Sequence, residues 1–348
     1  MHLNRRSLLA TALTLGAMRA FPGISFAQAR PLVFATFTGS WEEAHKAVLV
    51  PAFRKATNNA QIVLDPMLSV DQIAKINAAK ANPPIDVMLH DPGPALVAIG
   101  QDLAEPYPVD KSAYFKDLIP VAQEKMGPAP FFQVVGLTYN PETVKTPPTS
   151  WADLWNPAYK GRVGITNLNS TLGTGFLVEI ARMHGGSEAN VEAGFAALDK
   201  LKPNLAAVAA NPGALATLFQ QGQIDISPGN FNAIQILKAR GVPVEFVAPK
   251  EGAIAFKTTI HIVKNAPNQE LAFKLIEAAL SPAVQTELMN SPYLIVPTNS
   301  KVKMAGEIAK VLAASQAEME KKFVFQDWAK INQQRAAWID RFNREIRL

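Results

Sequence analysis

The sequence predicts an α/β fold with two sheet-containing halves, and three observations support this prediction. First, short apolar segments alternate with helical patterns over residues 32–91, in the order β-α-β-α-β. Second, a similar alternation begins again with the apolar strand near residue 133 and continues to about residue 248. Third, the strand patterns are continuously apolar, which is typical of mainly parallel sheets that helices cover on both faces.

The first half of the pattern contains three strands and two helices. Strands are predicted at residues 32–36, in QIVLDPM and in PIDVMLHD. One helix is predicted in TGSWEEAHKAVLVPAFRKATNN, between the first two strands, and a second in SVDQIAKINAAK, before the third strand. Ser40 with Glu43, and Ser69 with Gln72, have the spacing of a reciprocal capping box. We therefore expect Ser40 and Ser69 to cap the two helices.

The second half begins with the strand in FFQVVGLTYNP. A short helix capped by Ser150, the strand GRVGIT, a helix from about Thr171 and a helix at about 191–201 follow, and then two more helix-to-strand units. GAIAFKTTIHIVKN reads as one long strand. The strands near 133–139 and 254–262 are the predicted crossings by which the chain leaves the first lobe, builds the second and returns.

The pattern of apolar residues in the C-terminal segment predicts a helix with one apolar face. The apolar residues at helical spacing are Phe325, Trp328, Ile331, Trp338 and Phe342. Such a stripe is more typical of a face buried in the core than of a surface for a partner.

The first 29 residues have the pattern of a bacterial export signal. Arg5 and Arg6 precede an apolar stretch from Leu8 to Ala17, and the segment ends in Ala-Gln-Ala at Ala29. We expect cleavage after Ala29 and a periplasmic protein. The paired arginines suggest the twin-arginine route, with the general secretory route as the alternative. A membrane anchor is disfavoured because the apolar stretch falls short of the ~20 residues that a span needs.

Composition excludes several classes of function. The 348 residues include no cysteine, which excludes disulfides, thiolate catalysis and cysteine metal sites. Removal of residues 1–29 takes away three arginines and no acid, so the formal charge falls from +5 to +2. No basic run interleaved with aromatic residues is present, which argues against nucleic-acid binding.

Several segments together resemble the periplasmic solute-binding proteins of ABC importers, in the branch that includes the polyamine binders. The matching segments lie between about residues 32 and 297. They are TFTGSWEE, PPIDVMLHD, GLTYNPETVKTPPTSWADLWNPAYKGRVGIT, STLGTGF, GVPVEFVAPKEGAIAF and KNAPNQELAFKLIEAALSPAVQ.

This resemblance implies a two-lobe, type II-like periplasmic-binding-protein fold that closes on a small-molecule ligand by hinge motion. We expect lobe 1 to contain residues 30–137 and about 259–348 with the C-terminal helices, and lobe 2 to contain residues 138–258. The expected protein is a monomeric, cofactor-free partner of an ABC permease and not an enzyme.

In lobe 1, the candidate ligand contacts follow two strand ends. In open α/β sheets ligands bind beyond the carboxyl ends of the strands. In relatives the aromatic residue of the TGSWEE loop stacks on the ligand, so the resemblance assigns this role to Trp41, with Thr38 and Ser40 as hydrogen-bonding residues. Trp41 buried against the other lobe is the alternative. Asp91 ends the third strand; it is expected either to pair with an amine or to start the helix that follows.

In lobe 2, NLNSTLGTGF lies between a strand and a helix. The free N–H groups and small residues of such a helix start favour an anion or a polar oxygen. The segment lacks the lysine of a phosphate-binding P-loop, and a plain capped helix is the alternative. With the resemblance, Ser170, Thr171 and Thr174 are the predicted cleft residues.

Two further segments decide the expected charge of the ligand. Where polyamine-binding relatives have tryptophan-asparagine, this chain has Gly229 and Asn230, and Phe231 is expected to supply apolar surface. Where they have a tryptophan and, two residues later, an aspartate, it has Phe256 and Thr258 with Lys257 between them. An ammonium group that leaves water needs carboxylates to replace its hydration. Thr258 in place of the aspartate removes one such carboxylate.

The sequence therefore favours an anionic or zwitterionic solute, such as a phosphonate, a sugar phosphate or a carboxylate. A polyamine remains the principal alternative. Which way Lys257 faces stays open, although strand alternation favours the side opposite Phe256 and Thr258.

Three other functions are less well supported. Ferric-ion-binding relatives use adjacent tyrosines, whereas the five tyrosines here are isolated and the five histidines lack ligand spacing. A hydrolase or transferase would need a nucleophile with a base, or paired carboxylates, in one pocket, and no Gly-x-Ser-x-Gly motif is present. A receptor for a sensor kinase is compatible with the same fold.

Overall fold

A computed structural model describes residues 30–290 and 292–346. The predicted export signal and its cleavage site after Ala29 lie outside these residues. The strands are β1 Leu32–Thr36, β2 Ile62–Pro66, β3 Val87–His90, β4 Phe131–Tyr139, β5 Val163–Thr166, β6 Leu205–Ala209, β7 Ile226–Asn230, β8 Glu245–Val247, β9 Ile254–Ile262 and β10 Val296–Pro297.

Helices connect or flank these strands. They are α1 Ser40–Ala44, α2 Val50–Ala56, α3 Ser69–Asn77, α4 Pro92–Gly100, α5 Thr171–Met183, α6 Glu192–Leu201, α7 Pro212–Gln220, α8 Phe231–Ala239, α9 Gln269–Leu280, α10 Pro282–Met289, α11 Gln316–Lys322 and α12 Trp328–Glu345. Two segments are π-helical, His45–Leu49 and Ile308–Leu312. The short 3₁₀ turns are Val109–Lys111, Phe115–Asp117, Pro120–Ala122, Trp151–Trp155, Pro157–Tyr159 and Lys202–Asn204.

The strands pair in the order β2-β1-β3-β9-β4-β7-β5-β6, with β8 and β10 also paired to β4. At each end of this order the strands run parallel: β1 with β2 and β3, and β5 with β6 and β7. The pairs β3–β9, β9–β4 and β4–β7 are antiparallel. The predicted α/β fold is confirmed, and the two predicted crossings, β4 and β9, lie side by side in the middle of the sheet.

The register of β4 and β9 decides which side chains share a face. Gln133 lies opposite Phe256, Phe131 opposite Thr258, and Val135 opposite both Ile254 and Asn230. Because successive residues of a strand point to opposite faces, Gln133, Phe256, Thr258 and Asn230 all lie on one side. Lys257 lies on the other side.

Two of the hydrophobic cores lie toward opposite ends of the sheet. One joins residues of β1 and β3 to α2, α9 and α10; the other joins residues of β5 to α5, α6 and α12. The C-terminal helix α12, which the sequence assigns to lobe 1, therefore packs with residues of the predicted lobe 2. The exact lobe boundaries stay a prediction.

The apolar face predicted for the C-terminal segment is formed by α12. Trp328, Ile331, Trp338 and Phe342 are buried, whereas Phe325 precedes the helix and is 38% exposed. The prediction that Phe325 packs in the core is therefore wrong. Among residues 30–290 and 292–346, no helix, α12 included, is long and apolar enough to cross a bilayer.

The predicted helix caps are correct at one of three positions. Ser150 caps its short helix in a capping box with Asp153. Ser40 and Ser69 are instead the first residues of α1 and α3, and neither helix start has a side-chain cap. The Ser40 hydroxyl accepts from the Asn232 side chain at 3.1 Å, and Ser69 Oγ accepts from the backbone N–H of Asp91 at 3.2 Å. Tertiary partners have replaced the local ones.

Gly93 should be required for the packing of α12 on α4. A Cβ at Gly93 would overlap the ring of Trp328, whereas nothing lies within 4 Å of a Cβ at Gly100, at the other end of α4. We expect Gly93→Ala to lower the free energy of unfolding by about 1–3 kcal/mol through overpacking. Gly100→Ala, the matched control, should leave it unchanged or raise it by up to about 1 kcal/mol. Urea unfolding measures both, and equal effects would contradict this packing.

Candidate functional site

Loops at the carboxyl ends of strands from both halves converge on one cavity of about 250 Å³. Such strand ends are where α/β sheets present helix starts to a ligand. Eight of the predicted site residues line this cavity: Thr38, Ser40, Trp41, Asp91, Ser170, Thr171, Asn230 and Phe256. The structure thus brings residues 38–41 and 170–171 to one shared cavity.

Direct contacts between the two halves close the rim of the cavity. Asn232 of α8 donates to Ser40 of α1 at 3.1 Å. Arg240, one residue beyond α8, forms an ion pair with Glu43 at 2.6 Å, and both side chains are about half exposed. All four residues line the cavity. In the described conformation the two halves therefore contact each other beside the cavity.

Asp91 carries the carboxylate at the base of the cavity. It is the N-cap residue of α4 but makes no side-chain capping bond. Gln133 Nε2 donates to Asp91 Oδ1 at 2.6 Å, and the Thr171 side chain also donates to this carboxyl group. Burial raises the pKa of Asp91, while the hydrogen bonds from Thr171 and Gln133 and the charge of Arg335 act in the opposite direction. Of the two roles that the sequence left open, Asp91 does start α4 through its backbone, whereas its side chain does not cap the helix; pairing with an amine stays a prediction.

Gln133 is a central site residue that the sequence analysis did not identify. Its Nε2 also donates to Thr258 at 3.1 Å, and its Oε1 accepts from Asn230 Nδ2 at 3.0 Å. This buried amide on β4 therefore connects Asp91 to Asn230. It was recognisable in principle, because it interrupts the apolar run of β4 and a buried polar side chain needs partners.

Trp41 is both a wall of the cavity and part of a core. Its ring lies 5.8 Å from Phe37, 5.6 Å from His45 and 5.8 Å from Phe131, measured between ring centroids. The side chain is only 5% exposed. It therefore presents a small apolar surface to the cavity, held in place by the aromatic residues behind it.

The start of α5 faces the cavity with free backbone donors. Ser170 is the N-cap residue and Thr171 the first helical residue, and no side chain caps the helix. The first N–H groups of a helix have no partner within the helix. Gly173 permits the backbone of the preceding loop to pack closely on the first turn of α5, because a Cβ at this position would overlap the backbone oxygen of Asn167.

Three other predicted contacts lie behind the cavity wall. Thr174 Oγ1 donates to the backbone oxygen of Leu168 at 2.8 Å. Phe231 is 1% exposed and packs edge-on against Phe246 at 5.1 Å. Thr258 is buried beneath Gln133. Direct contact of these three side chains with a solute stays a prediction that this conformation does not favour.

Lys257 faces away from this cavity. It pairs with Glu124 and lines a second cavity of about 620 Å³. The alternation of β9 accounts for this orientation, since Phe256 lines the first cavity and Lys257 points to the opposite face. Lys257 therefore places no charge beside a solute held at Asp91.

Three buried histidines lie near the cavity. His45 Nδ1 contacts the Thr36 hydroxyl at 2.6 Å, and the rings of His90 and His261 are 5.7 Å apart. Burial lowers the pKa of His45 to about 3 and that of His261 to about 4, and it also lowers the pKa of His90. Within the described part of the chain, no three His, Cys, Asp or Glu side chains are grouped closely enough to hold a metal ion.

Comparisons with known proteins agree with this architecture. The PBP AgtB of A. tumefaciens R10, solved in complex with agropinic acid, is 20% identical, with a TM-score of 0.75 over 91% of this chain and 99% of that chain. At this identity the likeness describes the fold alone. The fold and its cavity define a class of two-lobed α/β proteins.

The family follows from the sequence. The model of the family described as bacterial extracellular solute-binding protein matches residues 49–331, so the chain belongs to this family. The family is thus one of solute-binding proteins.

Two relatives differ in the solute for which they are named. The spermidine/putrescine-binding periplasmic protein of Salmonella typhimurium is 34% identical over 153 residues. That alignment covers 43% of this chain and 41% of the relative, so the chain spans about two fifths of that protein's length. A second S. typhimurium protein, provisionally named for periplasmic 2-aminoethylphosphonate binding, is 27% identical over 252 residues, 71% of each chain.

The buried histidines should make the protein less stable in acid. An unfolded histidine takes up a proton near pH 6.5, whereas His45 and His261 stay neutral in the folded protein down to about pH 3 and 4. Between these limits the unfolded state binds more protons, so the free energy of unfolding falls as pH falls. Each histidine contributes a slope of up to about 1.4 kcal/mol per pH unit.

Urea unfolding from pH 7.5 to 4.5 measures this slope. We expect His45→Gln to reduce it, since the substitution removes a group that only the unfolded chain protonates. His184→Gln, at an exposed position, is the matched control and should leave the slope unchanged. A slope that does not change in His45→Gln would contradict the assignment.

Proposed function

We propose that this protein captures a small zwitterionic solute in the cavity between its lobes and delivers it to an ABC permease. The acidic group of the solute is held at the start of α5, and its amine is held by Asp91. The observation that carries the proposal is the cavity of about 250 Å³, with a carboxylate on one wall and an uncapped helix start on another.

The size of the cavity favours a small solute. Sites for drug-sized ligands have volumes of roughly 300–1,000 Å³. The cavity is somewhat smaller than this range.

Backbone donors supply the acidic end of the site. The free N–H groups at the start of a helix, together with the helix dipole, favour negative charge. The start of α5, which has 13 residues, provides such groups, and the hydroxyls of Ser170 and Thr171 lie beside them. On the facing wall Thr38 and Ser40 line the same space. A phosphonate, a phosphate or a carboxylate is the matching group.

Asp91, which accepts from Thr171 at the start of α5, supplies the partner for the amine. Its carboxylate accepts from Gln133 and Thr171, and an ionised carboxylate has capacity for a further donor. An ammonium group of the solute would take that position. Because burial disfavours the ionised form of Asp91, a cation beside it regains electrostatic energy that the empty site lacks.

A polyamine fits this cavity less well. Spermidine and putrescine carry several ammonium groups, each of which needs a counter-charge when it leaves water. Among the described residues that line the cavity, the carboxylates are Asp91 and Glu43, and Glu43 is paired with Arg240. The relative named for 2-aminoethylphosphonate, which aligns over more of the chain than the polyamine-named one, also supports a zwitterion.

The location and the two lobes belong to the same proposal. The periplasmic relatives support export to the periplasm. Cleavage after Ala29 is part of the proposal and rests on the sequence pattern alone. We place lobe 1 at residues 30–137 and from about 259 onward, and lobe 2 at 138–258, with β4 and β9 as the hinge strands. The packing of α12 against both halves means that this helix takes part in any hinge motion.

Thermal-shift measurements test the choice of solute. A ligand that binds only the folded state raises the melting temperature. We expect the mature protein to respond to 2-aminoethylphosphonate more than to ethylphosphonate, which lacks the amine, or to putrescine and spermidine. A selective response to either polyamine would overturn the proposal.

Asp91→Asn should remove the preference for the amine. We expect the affinity for 2-aminoethylphosphonate to fall about tenfold or more, because a hydrogen bond to a charged group contributes about 1.5–3 kcal/mol. The affinity for ethylphosphonate should change little. Glu43→Gln, at the exposed rim, is the matched control and should have a small effect on both. Isothermal titration of the wild type and the two variants measures the six affinities, and equal losses for both ligands in Asp91→Asn would place the amine elsewhere.

A further inference from the structure

One face of α12 contacts both halves of the molecule behind the cavity. Trp328, Asn332 and Arg335 are four and three residues apart, so they lie on the same side of this helix. The guanidinium carbon of Arg335 lies 5.7 Å from the centroid of the Trp328 ring. We call these three residues the α12 stripe.

The Arg335 end of the stripe holds the segment that begins α5. Arg335 is only 7% exposed. Its Nη2 donates to the backbone oxygens of Leu168 at 3.2 Å and Asn169 at 2.9 Å, and its Nε donates to Thr174 Oγ1 at 3.1 Å. Ser170, the N-cap residue of α5, follows Asn169 directly. Three hydrogen bonds from one rigid, planar group therefore fix the helix start that faces the cavity.

The other end of the stripe holds the start of α4. Asn332 Nδ2 donates to the backbone oxygen of Gly93 at 2.7 Å. The Trp328 ring packs so closely on the same glycine that a Cβ there would lie 2.4 Å from it. Gly93 is in the first turn of α4, two residues after Asp91. Trp328 also packs edge-on against Phe256, a residue of the cavity wall, with 5.8 Å between ring centroids.

The two helix starts that the stripe holds are those that the proposed solute contacts. Asp91 accepts from the Thr171 side chain, so its carboxyl group and the start of α5 are neighbours. In the proposed function the carboxylate takes the amine of the solute, and the start of α5 takes its acidic group. The separation of the two partners therefore sets the length of the spacer that joins these two groups.

We propose that the α12 stripe determines the length of the solute: it clamps the starts of α4 and α5 at one separation, so that the cavity selects a zwitterion with a short spacer. This inference rests on the proposed function. Neither Asn332 nor Arg335 is among the described residues that line the cavity. Both act through the two helix starts, so they are positioning residues.

A clamp behind the wall gives selectivity because it prevents the site from adapting. In a gap of fixed length, an additional methylene moves either the amine or the acidic group away from its partner. One extra methylene in a close-fitting pocket changes binding by roughly 10–200-fold. If the two helix starts could move apart, a longer solute would regain both contacts and the discrimination would fall.

Two solutes that differ by one methylene test the selection of length. The measured quantity is the ratio of the Kd for 3-aminopropylphosphonate to the Kd for 2-aminoethylphosphonate, obtained by isothermal titration. We expect a ratio of about 10 or more in the wild type. Asn332→Leu and Arg335→Met keep the approximate side-chain size but remove the hydrogen bonds, and each should lower the ratio severalfold.

Gln334→Ala is the matched control on the same helix. Gln334 is exposed, and its Nε2 donates at 2.9 Å to the backbone oxygen of Ala189, which belongs to the second half alone. This variant should retain the wild-type ratio. A wild-type ratio near 1 would overturn the inference. So would a weaker affinity for both solutes with an unchanged ratio in the stripe variants, because a residue that only supports the fold has that effect.

Distance measurements on the solute-free protein test the clamp itself. The chain contains no cysteine, so Lys55→Cys in α2 and Lys200→Cys in α6 place one spin label on each half, at exposed positions. Double electron–electron resonance measures the distribution of distances between the labels. The distribution should broaden in Asn332→Leu and in Arg335→Met but not in Gln334→Ala. An unchanged width in the stripe variants would overturn the inference.

The two experiments separate the two proposals. If the wild-type protein binds neither aminophosphonate, the proposed solute is wrong, and the distance distribution still decides whether the stripe clamps the two halves. If the wild-type protein prefers the amine but does not discriminate length, the proposed function stands and the role of the stripe fails. Each stripe variant breaks one end of the clamp, so either is sufficient should the other not fold.

Discussion

The antiparallel pairing of β4 with β9 is the constraint on which the rest of the structure depends. These two crossings join the parallel strands of one half to those of the other. Their register sets Gln133 opposite Phe256 and directs both side chains toward the cavity. A slip of one residue would turn both to the opposite face, because strand side chains alternate. The Gln133 amide would then lose its bonds to Asp91 and Asn230, which tie the two halves of the site together.

The sequence was sufficient to predict the fold class because its signals are local. Buried parallel strands are short apolar runs, and helix patterns separate them, so the alternation is visible without any tertiary information. The helix caps show where such reasoning ends. Ser40 and Ser69 have the right spacing for capping boxes, yet Ser40 bonds to Asn232, a residue far along the chain. A side chain that can cap a helix takes a tertiary partner when the fold brings a better one.

The candidate site was predictable to the extent that it follows from strand ends. Trp41, Asp91 and Ser170 each come after a strand, and the topology brings them to one cavity. Thr174 shows the limit, because it lies one turn deeper along α5, and its hydroxyl is bonded to the Leu168 backbone and to Arg335 behind the cavity wall. Arg335 carried no local signal at all: its hydrogen bonds to the backbone of Leu168 and Asn169 exist only after α12 has packed beside the start of α5.

The ion pair between Glu43 and Arg240 has a consequence for how quickly a captured solute leaves. Both side chains are about half exposed, so water and counterions compete for them at small cost. Such a contact adds little to equilibrium stability, but in the proposed hinge motion it breaks each time the lobes part. The residence time of the solute should therefore shorten as ionic strength rises. The salt concentration around the protein would then influence the rate at which the solute is released.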